Sequence, residues 1–211
     1  RKVLNKHWPN VPIYEDVRLV NGEEIRTKHG KIDVITGGFP CQDISTVGKL
    51  SGINGETRSG LWSEIIRLAG ELQPKYIIIE NVSNLLIGPS GKPGGWFSRI
   101  LGDLAAGGYD AIWECIPASY LGAPHIRDRV WVVAYPNIQK NDILPFGRLL
   151  KNYPMPRRNS ESPWRSSMPN ISRVGNGIPR KLDQRLGSLG NAVCPQIPEM
   201  IGYAILEAEK Q

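Results

Sequence analysis

The sequence predicts an α/β fold, a doubly wound and largely parallel sheet with an antiparallel edge strand, and three observations carry that expectation. Ile32-Asp33-Val34-Ile35-Thr36 is a short β-branched run that ends in Gly37-Gly38, which reads as a buried strand breaking into a tight loop. Tyr76-Ile77-Ile78-Ile79 is an uninterrupted apolar run, as in a parallel strand covered on both faces. Between and after these runs, apolar residues recur every three or four positions, the spacing of helices that connect such strands.

The elements follow in order. Arg1 to Trp8 reads as the last turns of a helix stopped by Pro9, whose ring cannot continue it. The chain opens on Arg1 rather than Met and is read as a fragment, truncated at its amino end. Gln42 to Ser59 holds Gly48, Gly52 and Gly55 among small polar residues and is expected to form a mobile loop that closes over a ligand. Leu61, Ile65, Leu68 and Leu72 then mark a helix ended by Pro74. The strand from Tyr76 ends at Glu80-Asn81, and open α/β sheets bind ligands at the carboxyl ends of their strands. Trp96 to Ala106 is expected as a second helix closed by Gly107-Gly108. Ala111 to Pro117 and Val130 to Tyr135 are strands joined by a twelve-residue loop, too short for a helical crossover, and so antiparallel neighbours. Ile197 to Ala208 is the last helix.

Composition narrows the classes. With 211 residues, 40% of them hydrophobic and 22% charged, the chain can bury one core, and it has no apolar run long enough for a membrane span. Cys41, Cys115 and Cys194 form no CxxC pair, and His7, His29 and His125 are scattered, so neither a disulfide framework nor a metal site is expected. With no signal segment, the expected place is the cytoplasm, as a monomer. The net charge of +6 is unevenly placed. Residues 137–185 hold ten Lys or Arg against three acids, +7, which leaves sixteen bases against seventeen acids, −1, elsewhere. This Pro-rich, aperiodic stretch also carries Tyr153 and Trp164, a mixture suited to phosphate contacts and base stacking. The expected organisation is a catalytic α/β domain over 1–136, a small irregular basic recognition segment over 137–185, and a return to the first domain over 186–211.

Cys41 follows a strand end in a glycine-bracketed loop, where backbone amides can stabilise a thiolate. A lone cysteine is more often a small buried hydrophobe, and Cys115 and Cys194 are read that way. Pro40-Cys41-Gln42 resembles the nucleophile triplet of DNA cytosine-5 methyltransferases, and further motifs of that family follow in order. Glu80-Asn81-Val82 resembles its ENV motif, Arg127-Asp128-Arg129 its arginine motif before a strand, and Gly190-Asn191-Ala192-Val193 its carboxyl-terminal motif. The short length is most similar to compact members of phage or bacterial type.

The resemblance implies a Rossmann-like methyltransferase sheet and transfer of a methyl group from S-adenosyl-L-methionine to C5 of cytosine in double-stranded DNA. Cys41 is then the nucleophile at C6, Glu80 the acid at N3, and Arg129, with Arg127, the holder of the base O2 and of Glu80. Both arginines are expected to face one pocket, because residues two apart on a strand point the same way. The resemblance puts Asp16 and Val17 at the adenine and Pro40, Leu61, Asn191 and Ala192 along the methionine and ribose. Gln42 and Ser45 are the loop residues expected to meet DNA once the target base is flipped out, and Arg157 and Arg158 the basic contacts of the recognition segment. His125 stands where the family has a glutamine. The family's glycine-rich strand-loop-helix is missing, so this chain alone is expected to bind the cofactor poorly and to be weakly active. A catalytically silent DNA-binding remnant of the same fold and a tRNA cytosine-5 methyltransferase are the alternatives. Modification beside a restriction enzyme and phage self-protection would use the same chemistry.

Overall fold

Two apolar runs build the centre of the sheet. Residues 1–40, 61–87, 95–123, 126–137 and 192–210 are described by a computed structural model of the chain. They fall into two compact units, one made of the described residues of 1–114 and 129–137, the other of those in 115–128 and 192–210.

In the first unit, β1 (Val34–Gly37) pairs in parallel with β2 (Tyr76–Val82), and the ladder aligns Gly37 with Ile79. β2 is antiparallel to β4 (Asp128–Pro136), with Ile79 opposite Val132 and Val82 opposite Arg129. β3 (Tyr109–Pro117) lies beyond β4, so the strand order is β1-β2-β4-β3. Tyr76 to Ile79 and Val130 to Ala134 are buried along their whole length, as expected of β-branched strands flanked on both sides. Each fully buried Ile or Val here contributes roughly 1.5–3 kcal/mol of apolar transfer.

Two details differ from expectation. β1 is not buried; its residues alternate between exposed and half-buried, because it borders the sheet and has β2 on one side alone among the described residues. The reversed strand is also not the edge strand. β4 is inserted between β2 and β3, so both its faces and both its flanks are covered, which explains its unbroken apolar sequence. β3 and β4 run antiparallel, as predicted: Asn137 N–H donates to Gly108 O at 3.0 Å at one end, and Ala118 N–H to Arg127 O at 3.3 Å at the other. Their link is ten residues, 118–127.

The helices explain themselves locally. α1 (Lys2–His7) buries none of its residues. A 3-10 turn, Val17–Leu19, precedes α2 (Gly22–His29), which Asn21 caps by accepting Glu24 N–H at 3.0 Å. Acids in its first turn and bases in its last suit the helix dipole. α3 (Trp62–Leu72) buries Trp62, Leu68, Ala69 and Leu72, and it stops at Gln73, whose φ of 51° is left-handed. α4 (Gly95–Ala106) buries Phe97, Ile100 and Leu104 and ends at Gly108, with φ 83°. In the second unit, α5 (Gln196–Ala208) buries Ile197, Met200 and Ile201 and packs near a 3-10 turn, Ala118–Leu121.

Candidate active site

The carboxyl ends of β1 and β2 form one neighbourhood within the first unit. β1 hands the chain to Gly38-Phe39-Pro40 beside Glu80, and a Cβ on Gly38 would stand 3.4 Å from both Glu80 O and Glu80 Oε2. A glycine therefore lets this backbone pass against the carboxylate. Asn81, 3% exposed, accepts Val82 N–H at 2.8 Å through Oδ1, which turns its Nδ2 to donate to Phe39 O at 3.2 Å. A buried amide thus holds the residue two positions before Cys41. Its ring is held too: Phe39 lies 5.6 Å, centroid to centroid, from Trp62, whose Nε1 donates to Asp103 Oδ2 at 2.8 Å. Pro40 and Leu61, the described residues that flank 41–60, accordingly adjoin a shared aromatic anchor.

Glu80 is set by register. Val82 opposes Arg129 and Glu80 opposes Trp131, so all four side chains share one face of the β2–β4 pair. Arg129 is diagonal to Glu80, within reach of a long side chain, and its Nε lies 3.1 Å from Glu80 Oε1 with the two side chains 20% and 18% exposed. This is a half-desolvated ion pair. A guanidinium so placed fixes the carboxyl group's orientation while leaving its other oxygen toward Gly38.

Arg127 departs from the sequence expectation. It precedes β4 with φ 36°, a left-handed conformation, so strand alternation does not link its side chain to that of Arg129. It belongs to the second unit, where its guanidinium donates to Ala192 O. Near it, Cys194 is buried and donates to Gln196 Oε1 at 3.2 Å; burial pushes its thiol above the usual range. Cys115 is half-buried.

Asp16 caps the 3-10 turn, accepting Arg18 N–H at 3.0 Å, and Arg18 Nη2 lies 2.5 Å from its Oδ2. Those hydrogen bonds lower its carboxyl to about 2. Val17 packs against Val20, Leu68 and Leu72. Cys41, Gln42, Ser45, His125, Arg157, Arg158 and Asn191 lie outside the described residues. Sequence reasoning named Asn81 only as part of a motif and Gly38 only as a loop glycine, and assigned nothing to Phe39, Trp62 and Arg67; the roles of all five depend on contacts 40 or more positions away. Among the described residues, no cluster of three or more His, Cys, Asp or Glu is placed to hold a metal, and no helix is long and apolar enough to cross a membrane.

The first unit is a mixed α/β sheet with a carboxylate–guanidinium pair near its strand ends, a fold shared with solved structures of low sequence identity. The chain belongs to the C-5 cytosine-specific DNA methylase family, whose profile matches residues 1–177. It is 37% identical over 124 residues to the type II methyltransferase M.Sau3AI of Staphylococcus aureus, covering 57% of this chain and 29% of that protein. To M.AluI of Cellulosimicrobium cellulans it is 37% identical over 142 residues, covering 63% and 26%. The chain thus spans about a third or less of these relatives. The Dnmt2 methyltransferase structure of S. pombe superposes with a TM-score of 0.51 at 17% identity, covering 75% of this chain and 46% of that one, and so supports the fold.

Proposed function

We propose that the protein methylates C5 of cytosine in double-stranded DNA through a covalent Cys41 adduct, using S-adenosylmethionine. The observation that carries the reading is the Glu80–Arg129 pair, 3.1 Å apart, beside the Gly38–Pro40 exit that leads to Cys41. Cytosine C5 is too weak a nucleophile to accept a methyl group unaided. The Cys41 thiolate adds to C6 and pushes electrons through the ring to N3, where the Glu80 carboxyl delivers a proton. C5 is then enamine-like. Arg129 holds Glu80 in the donating orientation and offers N–H groups to O2. Bound S-adenosylmethionine supplies an electrophilic methyl group for C5. Loss of the C5 proton to a base then restores the C5–C6 double bond and expels Cys41 as thiolate, and N3 returns its proton to Glu80, closing the cycle.

The cofactor residues are Asp16, Val17, Pro40, Leu61, Asn191 and Ala192. Their chemistry fits on a structural observation: Asp16 is an acceptor kept ionised well below neutral pH, next to apolar Val17 and exposed Leu19. An adenine needs such an acceptor for its amino group and an apolar surface for its ring. The body is 1–136 with 186–211. Residues 137–185, with Arg157 and Arg158, grip the DNA backbone, and Gln42 and Ser45 meet the duplex from the loop after Cys41.

The test incubates the full-length protein with DNA or tRNA containing 5-fluorocytosine and labelled cofactor. A trapped, labelled complex on DNA that disappears in Cys41→Ala is the expected result. Label on C5 undiminished in both Cys41→Ala and Glu80→Gln overturns the reading.

A further inference from the structure

Arg67, on α3, reaches outside its own helix. Its Nε donates to Glu64 Oε2 at 2.8 Å and its Nη1 to Glu71 Oε1 at 2.7 Å, neighbours one turn away on either side. A surface charge ladder would need no more. The Nη2 instead crosses to the 3-10 turn Val17–Leu19 and donates to Val17 O at 3.1 Å, fifty residues away in sequence. Glu71 crosses as well: its Oε2 accepts Gly22 N–H at 2.7 Å. A Cβ on Gly22 would fall 2.6 Å from Glu71 Cβ, so glycine is what permits this approach. Arg67 and Glu71 therefore strap both ends of 17–22, while Val20 between them is buried against Leu68 and Leu72.

We infer that Arg67 is a positioning residue for the adenine end of the cofactor, fixing the Val17 carbonyl so that Asp16 and Val17 present one geometry to the base. The inference rests on the reading that Asp16 and Val17 meet the adenine. Of the fork's donors, two are fixed by carboxylates, which leaves little freedom in where the third places the Val17 carbonyl. Asp16 is the next residue upstream, so its carboxylate inherits that placement. A role limited to stability would weaken every ligand equally; a positioning role weakens those that use the adenine amino group.

Calorimetry on the full-length protein with S-adenosylhomocysteine and its inosine analogue, which lacks that amino group, separates the two. Arg67→Met is expected to weaken the adenosyl ligand about tenfold, as loss of a charge-assisted contact does, and to bring the adenosyl-to-inosyl preference close to one. Arg67→Lys keeps the charge between Glu64 and Glu71 but cannot span to Val17 O as well, and should lose the preference with a Tm nearer the parent's. It decides the matter where Arg67→Met does not fold. An unchanged preference in the Arg67 variants, alongside its loss in Asp16→Ala, overturns the inference and leaves Asp16 at the adenine. A preference unchanged in Asp16→Ala as well overturns both the inference and that part of the functional reading.

Discussion

Arg127 and Arg129 are two residues apart and meet different fates. Arg129 enters the β2–β4 ladder, where register delivers it diagonally to Glu80 at 3.1 Å. Arg127 sits one step before the strand in a left-handed turn and turns to the carbonyl of Ala192. The period of two that relates side chains along a strand applies only where the backbone is extended. One arginine is placed by a sheet, the other by a turn.

The largest expected effect breaks the sheet side. Glu80→Gln keeps the shape and removes the proton, so methyl transfer should fall roughly 10²–10⁴-fold, read as single-turnover rate on DNA at a temperature where the variant is folded. Next comes stability. Arg129→Met leaves the half-buried Glu80 charge without that guanidinium and should cost about 1–3 kcal/mol in urea unfolding at neutral pH. Arg127→Met removes the hydrogen bond to the Ala192 carbonyl, a loss worth about 1 kcal/mol.

The turn side is sharpened by its backbone. At φ 36° a side chain is strained, so Arg127→Gly should be more stable than Arg127→Ala by about 1 kcal/mol, although neither can reach Ala192 O. An advantage for alanine would argue against the left-handed turn. The smallest effect concerns Cys194. Burial pushes its thiol above the usual range, and the nearby Arg127 charge opposes that weakly. A raised thiol favours folding below the unfolded value and loses that contribution as pH rises past it. Cys194 should therefore resist iodoacetamide at pH 8 relative to a free thiol, and Arg127→Ala should deepen the resistance slightly, both read by peptide mass spectrometry.

The sheet's centre was legible because β-branched runs such as Ile77-Ile78-Ile79 and Val130 to Ala134 admit few other settings. α3 and α4 were legible from their three-and-four spacing, and α5 from the prolines at its entry. α2 was not: among the last seven residues of Gly22–His29 it offers Ile25 as its sole aliphatic, and its existence depends on the Asn21 cap and on Gly22 meeting Glu71. The place of β4 between β2 and β3 was also hidden, since an apolar run tells that a strand is covered but not by which neighbours. At the site, Glu80 and Arg129 emerged from motifs, and the diagonal that joins them emerged from register. Asn81 and Arg67 act across 42 and 50 positions, a separation that no local pattern encodes.

The Phe39–Trp62 contact has a consequence for how this chain can vary. It ties together the two points from which residues 41–60 depart and to which they return, with ring centroids 5.6 Å apart. The two described ends are thus secured by side chains that belong to the core, and replacing Phe39 or Trp62 would unfasten both at once.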